Sequence, residues 1–461
     1  MKYISTRDNS KEYSFEQVFI KGLADDGGLF VPKSLKKFTN EELNSLSKLS
    51  YQDLAKKIIY LFVGDFMSES ELSEIIKKSY SVFRKDNTVN LIKIGDTNVL
   101  ELFHGPTLAF KDIAMQLLGN FYEYYLSKNN KSINVIVATS GDTGAAAIDA
   151  IKGKKNMNIF VLHPHNKVSI VQRKLMSTVK YKNVFNIAIE GNFDDCQNLV
   201  KSMFSDKEFS KSINMSGVNS INWGRIIAQA VYYFYAYFLL KSEKLINFSV
   251  PTGNFGDVYA GYLSKKMGLP INKLIVATNQ NDILHRAISI GKYEAEPVFE
   301  TISPSMDIQI ASNFERLIYD LNNHDDIETK NVMIEIKEKG KYIIPKKKLD
   351  KIKKDFLSTS MNENEVLNVI KEIYEKYEII LDPHSAIGFG ALKKINIDGN
   401  NIVLATAHPC KFPDAINRSI NIKPSLPKEL MHVMNEKENY DIIANNLNKI
   451  KQYIKEKIWW N

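Results

Sequence analysis

The chain has 461 residues, 44% of them hydrophobic, enough for two or three globular domains each with its own core. Its net charge of +8 is spread along a lysine-rich, asparagine-rich sequence, which argues against a nucleic-acid partner and only weakly favours an anionic substrate. Cys196 and Cys410 are the only cysteines, too few for a disulfide framework or a thiolate metal cluster, and they suit a reducing cytoplasm.

The opening residues, Met1 to Asp8, lack the apolar core of a signal peptide. Residues 1–95 read as a mostly helical N-terminal domain. Phe15, Val18, Phe19 and Leu23 lie on one stripe, which ends at Asp25-Asp26-Gly27-Gly28 before Leu29-Phe30-Val31-Pro32. A second helical pattern spans 40–61 and a third 68–80. From about residue 97 the texture becomes strand, loop and helix in alternation. The run 133–138 precedes Thr139-Ser140-Gly141-Asp142-Thr143-Gly144 and a helix over 145–151, capped by Gly153. Further strands are expected at 159–162, 184–189, 248–250, 274–277 and 402–405, with a helix over 193–204 and another ending near Gly268. The longest apolar stretch, 226–240, is interrupted by Gln229, crowded with aromatics and shorter than the roughly 20 residues of a membrane span, so it predicts a buried helix. The lysines at 346–348 and 351–354 alternate with Asp350 and Asp355 as a solvated helix face. A charged, helical tail is expected over 427–461, with Trp459 and Trp460 docking it onto the body.

Continuous apolar strands alternating with helices argue for a mainly parallel sheet covered on both faces, with ligands beyond the carboxyl ends of its strands. In His104-Gly105-Pro106-Thr107-Leu108-Ala109-Phe110-Lys111-Asp112, a turn feeds a helical pattern carrying Ile113, Leu117, Phe121 and Tyr125. Lys111 thus falls in the first turn of a half-buried helix, where desolvation and the helix dipole lower an ammonium's pKa. A lysine that is neutral part of the time can form a Schiff base with an aldehyde cofactor. Pro251-Thr252-Gly253-Asn254-Phe255-Gly256-Asp257 follows a strand and opens a helix, making a phosphate cradle from backbone amides. Together the two motifs ask for an aldehyde that carries a phosphate, and pyridoxal phosphate satisfies both. No Walker loop, His-Glu-x-x-His, Cys-x-x-Cys or Gly-x-Ser-x-Gly is present, which disfavours a nucleotide triphosphatase, a metal site and a serine hydrolase.

Residues 103–112, 138–145, 251–257 and 405–412 resemble threonine synthase, as do Ser220-Ile221-Asn222-Trp223-Gly224-Arg225, Asp307-Ile308-Gln309, Ser312-Asn313-Phe314-Glu315-Arg316 and Leu381-Asp382-Pro383-His384. The N-terminal opening through Pro32 resembles the extra domain of that family's longer branch. The resemblance implies the tryptophan-synthase-β-like pyridoxal-phosphate fold, an α/β architecture of two open, mainly parallel sheets flanked by helices. The catalytic domain would span 96–426, its smaller lobe lying around 100–220.

By the same resemblance Lys111 carries the cofactor, Gly253, Asn254, Phe255, Gly256 and Asp257 hold its phosphate, and the Thr406 hydroxyl meets the pyridine nitrogen. Ser140, Gly141, Asp142, Thr143 and Gly144 would receive the substrate carboxylate. Short-branch relatives have asparagine where Asp142 stands, against the cofactor's phenolic oxygen; an ionised carboxylate would repel that oxygen, so Asp142 either points elsewhere or is protonated. Arg225, beside Asn222 at a helix start, is the first candidate for the substrate phosphate, with a structural ion pair as its rival and Lys411 as a second candidate. The implied reaction turns O-phospho-L-homoserine and water into L-threonine and phosphate, in a cytoplasmic monomer or homodimer without nucleic-acid or membrane partners. The alternatives are a phospho-lyase or dehydratase giving 2-oxobutyrate, or a non-catalytic protein that binds the cofactor.

Overall fold

The computed structural model describes residues 1–240 and 245–458. Trp459 and Trp460, expected to dock the tail, lie outside the described residues. A three-stranded antiparallel sheet opens the chain, with Tyr3–Ser5 between Asp8–Tyr13 and Phe30–Pro32. The expectation of a mostly helical region missed it. Two of these strands have only 3 residues and the other is polar as far as Tyr13, so none displays the alternation that marks a strand.

Four helices share the region: Phe15–Lys21, between the second and third strands, then Asn40–Leu46, Tyr51–Val63 and Glu69–Tyr80. Capping boxes start three of them, Ser14 with Gln17, Thr39 with Glu42 and Ser68 with Glu71. The single pattern over 40–61 is two helices, because Ser50 accepts from the Asp53 amide and caps a fresh start. This region docks through buried charge. Glu315 accepts from Thr6 Oγ1 at 2.6 Å and from Arg7 Nε and Nη2 at 2.9 and 2.7 Å. Arg316, fully buried, donates to the carbonyls of Phe30 (3.1 Å) and Ile221 (2.6 Å) and lies over the Trp223 ring.

The larger sheet runs Phe356–Ser360, Ile271–Thr278, Ile246–Pro251, Asn400–Ala405, Thr97–Glu101, Asn90–Ile94 in space. Its neighbours are parallel except for the last pair, a hairpin. The smaller sheet runs Asp441–Ala444, Val184–Glu190, Met157–Pro164, Ile133–Ala138, Met215–Ser216, all parallel. Helix Lys111–Asn129 crosses helix Asp142–Ile151 so closely that a Cβ at Gly119 would stand 2.5 Å from the Ala150 carbonyl oxygen. The apolar stretch at 226–240 lies in the buried helix Trp223–Leu240, and no helix among the described residues is long and apolar enough to cross a membrane. The lysine-rich helix Lys346–Asp355 buries only Ile352, as its charge pattern requires.

The tail is not simply helical. Asp441–Ala444 pairs with Val184–Glu190 as the edge of the smaller sheet, and the helix Leu447–Lys457 seats Ile450 and Ile454 in the core that holds Cys196, Leu199 and Met203. The smaller sheet therefore draws its strands from residues 133–216 and from the tail.

Candidate active site

The segment before Lys111 is pinned along the end of a central strand. Leu102 N donates to the Ala405 carbonyl (2.9 Å), Phe110 N to that of Thr406 (2.8 Å), and His408 N to that of Leu108 (3.0 Å). Leu108 takes a left-handed conformation, φ 64°, while fully buried, the kind of backbone cost that only a well-packed site sustains. Arg84 clamps the turn from outside through the Gly105 (2.7 Å) and Phe103 (2.8 Å) carbonyls. Lys111 is the first residue of its helix, and Thr406 stands just past the strand Asn400–Ala405.

Lys111 is buried over the Phe110 ring, its Nζ 3.6 Å from Asp142 Oδ2 and 3.5 Å from Ser305 Oγ. Burial holds its pKa below the usual lysine value; Asp142 opposes that effect, while Lys411 and Arg225 reinforce it.

Asp142 lies within reach of that amine. It faces Lys111, and although burial alone would raise its pKa, Lys411 and Lys111 hold it well below the usual carboxylate range. Lys411 Nζ lies 2.6 Å from Asp142 Oδ1 with its side chain wholly buried, and Gln172 Nε2 donates to the same oxygen at 2.8 Å. Lys411 also donates to the Thr107 carbonyl (2.8 Å), so this second candidate for the substrate phosphate stands as the near counter-ion of Asp142. The loop at 140–144 is likewise partly committed: Thr139 Oγ1 accepts from the amides of Gly141 and Gly144, each at 2.9 Å. Those two amides are turned inward, which leaves half-buried Ser140 and Thr143 as its polar face.

The glycine loop leaves the strand Ile246–Pro251 and opens the helix Gly256–Lys266. Phe255 has φ 64° and is wedged between Phe314 and Phe356, ring centroids 5.2 and 5.7 Å away. Asn254 accepts from the Asn313 amide at 3.1 Å. A Cβ on Gly253 would come 2.7 Å from the Ser305 carbonyl oxygen. The Asp257 side chain turns into the core, where Tyr232 (2.5 Å) and Tyr233 (2.9 Å) donate to its Oδ1 and burial pushes its pKa up to about 6.

Asn222 is structural too. Its Nδ2 donates to the Phe19 carbonyl (2.9 Å) and its Oδ1 accepts from the Gly224 amide (3.0 Å). Arg225 differs from both. It is buried, its Nε has no hydrogen-bond partner, and among the described residues no carboxylate pairs with it, which removes the structural ion pair as a reading. Desolvation brings its pKa down to about 10. A buried guanidinium without a counter-charge fits an anion.

Two site residues escaped the sequence reading. Ser305 touches Lys111 and Asp142. His384 has Nδ1 2.9 Å from Asp382 Oδ1, accepts from the Ser305 amide through Nε2 at 3.3 Å and packs on Phe412. The His384 motif stood out as a string without a role, and Ser305 lies in a stretch with no periodicity to mark it.

These residues fit pyridoxal phosphate: a desolvated amine for the aldehyde, and a glycine loop at a helix start for the phosphate. The family described as "Threonine synthase N terminus" matches residues 2–80, "Pyridoxal-phosphate dependent enzyme" matches 99–344, and "Threonine synthase, C-terminal" matches 385–454. A threonine synthase of Pseudomonas aeruginosa is 43% identical across 99% of this chain and 98% of its own. The structure of pyridoxal-phosphate-bound threonine synthase from Brucella melitensis is similar with a TM-score of 0.96 and 43% identity over 99% of both chains. That of the yeast threonine synthase gives 0.95 and 42%, over 99% of this chain and 98% of that one.

Proposed function

The chain belongs to the threonine synthase family, and from that premise we propose that it converts O-phospho-L-homoserine and water to L-threonine and phosphate, with Lys111 moving the protons. It is a pyridoxal-phosphate-dependent lyase. The observation that carries the assignment of roles is the pairing of a desolvated Lys111 with Arg225, a buried cation that lacks an anion.

In this reading the backbone of residues 253–257 and the Thr406 hydroxyl hold the cofactor, which when bound supplies an electron sink for the carbon bearing the substrate amine. Asp257 contributes through its main chain alone, since its carboxylate is engaged by two tyrosines. Ser140 and Thr143 orient the substrate carboxylate. Arg225 receives the substrate phosphate with two parallel bonds. Lys111 Nζ, its pKa lowered by burial, takes the proton from Cα and hands protons on as the Cγ–O bond breaks, water oxygen bonds to Cβ and Cγ becomes a methyl group. Lys411 holds Asp142 ionised and fixed beside that amine.

Both cysteines are free and buried, in keeping with a reducing, cytoplasmic setting. The test is an assay of purified protein on O-phospho-L-homoserine for threonine, 2-oxobutyrate and phosphate. Threonine and phosphate should appear in equal amounts, and Lys111→Ala should form neither. Phosphate with 2-oxobutyrate in place of threonine would instead identify a phospho-lyase.

A further inference from the structure

The loop 301–307 reaches the site from the far side of Lys111 and is rigidly tied. Asp307 accepts from Thr301 N (2.9 Å) and Oγ1 (2.7 Å), Asn279 Nδ2 (2.7 Å) and Asn281 Nδ2 (3.0 Å). Ser305 N donates to His384, which Asp382 holds in turn. This scaffold presents the Ser305 hydroxyl 3.5 Å from Lys111 Nζ and 3.4 Å from Asp142 Oδ2.

The other charged groups around Nζ each offer one kind of bond. Asp142, and more remotely Asp257, can only accept; Lys411 and Arg225 can only donate. A carboxylate beside an amine stabilises the ammonium most and offers no donor to the lone pair of the neutral form. A hydroxyl both donates and accepts, and it rotates at little cost. We propose that Ser305 is a positioning residue for Lys111: its hydroxyl accepts from the charged ammonium, turns to donate to the neutral amine, and keeps Nζ on aim in both states. The proposal rests on the role given to Lys111 above.

The test compares Ser305→Ala and Ser305→Thr with the wild-type holoenzyme and with Lys111→Ala. Ser305→Ala should lower kcat by about tenfold or more while KM stays within about threefold, the signature of a lost aim and not of lost binding. With Asp142 then the one direct partner of Nζ left among the described residues, the acid limb of the kcat–pH profile should move up by about half a unit. Ser305→Thr keeps the hydroxyl and should recover most of kcat and the wild-type limb. Acylation of Lys111 by an amine-directed reagent in cofactor-stripped protein gives a readout independent of turnover, and its pH dependence should shift the same way. Should the alanine variant fold poorly, Ser305→Cys, close in size and weak in hydrogen bonding, takes its place. Wild-type kcat, pH profile and labelling in the alanine or cysteine variant would overturn the proposal, as would a threonine variant no better than alanine. Threonine formation by Lys111→Ala would instead overturn the role given to Lys111 above; an inactive Lys111→Ala beside a fully active Ser305→Ala would sink this inference alone.

Discussion

Lys411 and Asp142 meet at 2.6 Å in the interior, joining the turn after a strand of the larger sheet to the first turn of a helix on the smaller one. Satisfied by each other, two buried charges are tolerable; either one alone is expensive. Lys411→Met should cost about 3 kcal/mol of stability because it takes the nearer cation from the carboxylate and leaves only Lys111 at 3.6 Å. Adding Asp142→Asn removes the stranded charge and should restore the greater part. Urea midpoints of the two single variants and the double variant measure the coupling, and simple additivity would mean that the pair does not act as a unit.

Arg225→Leu separates a binding role from a structural one. With no acidic partner to orphan, its removal should leave the thermal midpoint unchanged or higher, while KM for the phosphorylated substrate rises by on the order of 10- to 100-fold, the range of a charged hydrogen bond. A drop in midpoint with KM unaltered would show the guanidinium to be a packing element.

Gly253→Ala places a methyl group 2.7 Å from the Ser305 carbonyl oxygen and 3.1 Å from Ile308 Cδ1. Backbone cannot yield as a flexible side chain would, so the glycine loop must shift, at a cost of about 1–3 kcal/mol. Cofactor affinity, read from absorbance during titration of stripped protein, should weaken by a similar amount. Affinity equal to that of the wild type would mean that this loop does not hold the phosphate.

Asp257 carries a pH-dependent cost. Its carboxyl is pushed from 3.8 up to about 6 by burial, so between those values the folded protein keeps a proton that the unfolded chain has released. Stability from this group is intact below 3.8 and is lost as the pH climbs through 6, leaving a penalty on the order of 2–3 kcal/mol at neutrality. Asp257→Asn keeps an acceptor for Tyr232 and Tyr233 and avoids the charge. The variant should gain on the wild type more at pH 8 than at pH 5 in urea unfolding; a gain that does not widen with pH would refute the account.

What could be read ahead of the structure was local. Lys111 and the glycine loop announce themselves because a turn, a helix start and their special residues lie within a few positions of one another. The charge state of Asp142 could not be read that way, since it depends on Lys411, Lys111 and Gln172 arriving from three distant segments. Asp257 and Asn222 sit in the right strings, yet their side chains are claimed by tyrosines and by a helix start. Ser305 had no pattern to reveal it, because its position is set by Asp307 and His384 and not by any spacing. Strands of 3 or 4 residues, as at Tyr3–Ser5 and Asp441–Ala444, fall beneath the length at which alternation can be recognised.

The edge strand at Asp441–Ala444 has a bearing on how the protein is made. As the chain leaves the ribosome, Val184–Glu190 emerges with one row of amides and carbonyls bare, an open template for any stray β-segment nearby. Its own cover arrives only after both halves of the larger sheet have been synthesised. Through that interval the nascent lobe is exposed to mispairing, and a premature stop anywhere before residue 441 would make the exposure permanent.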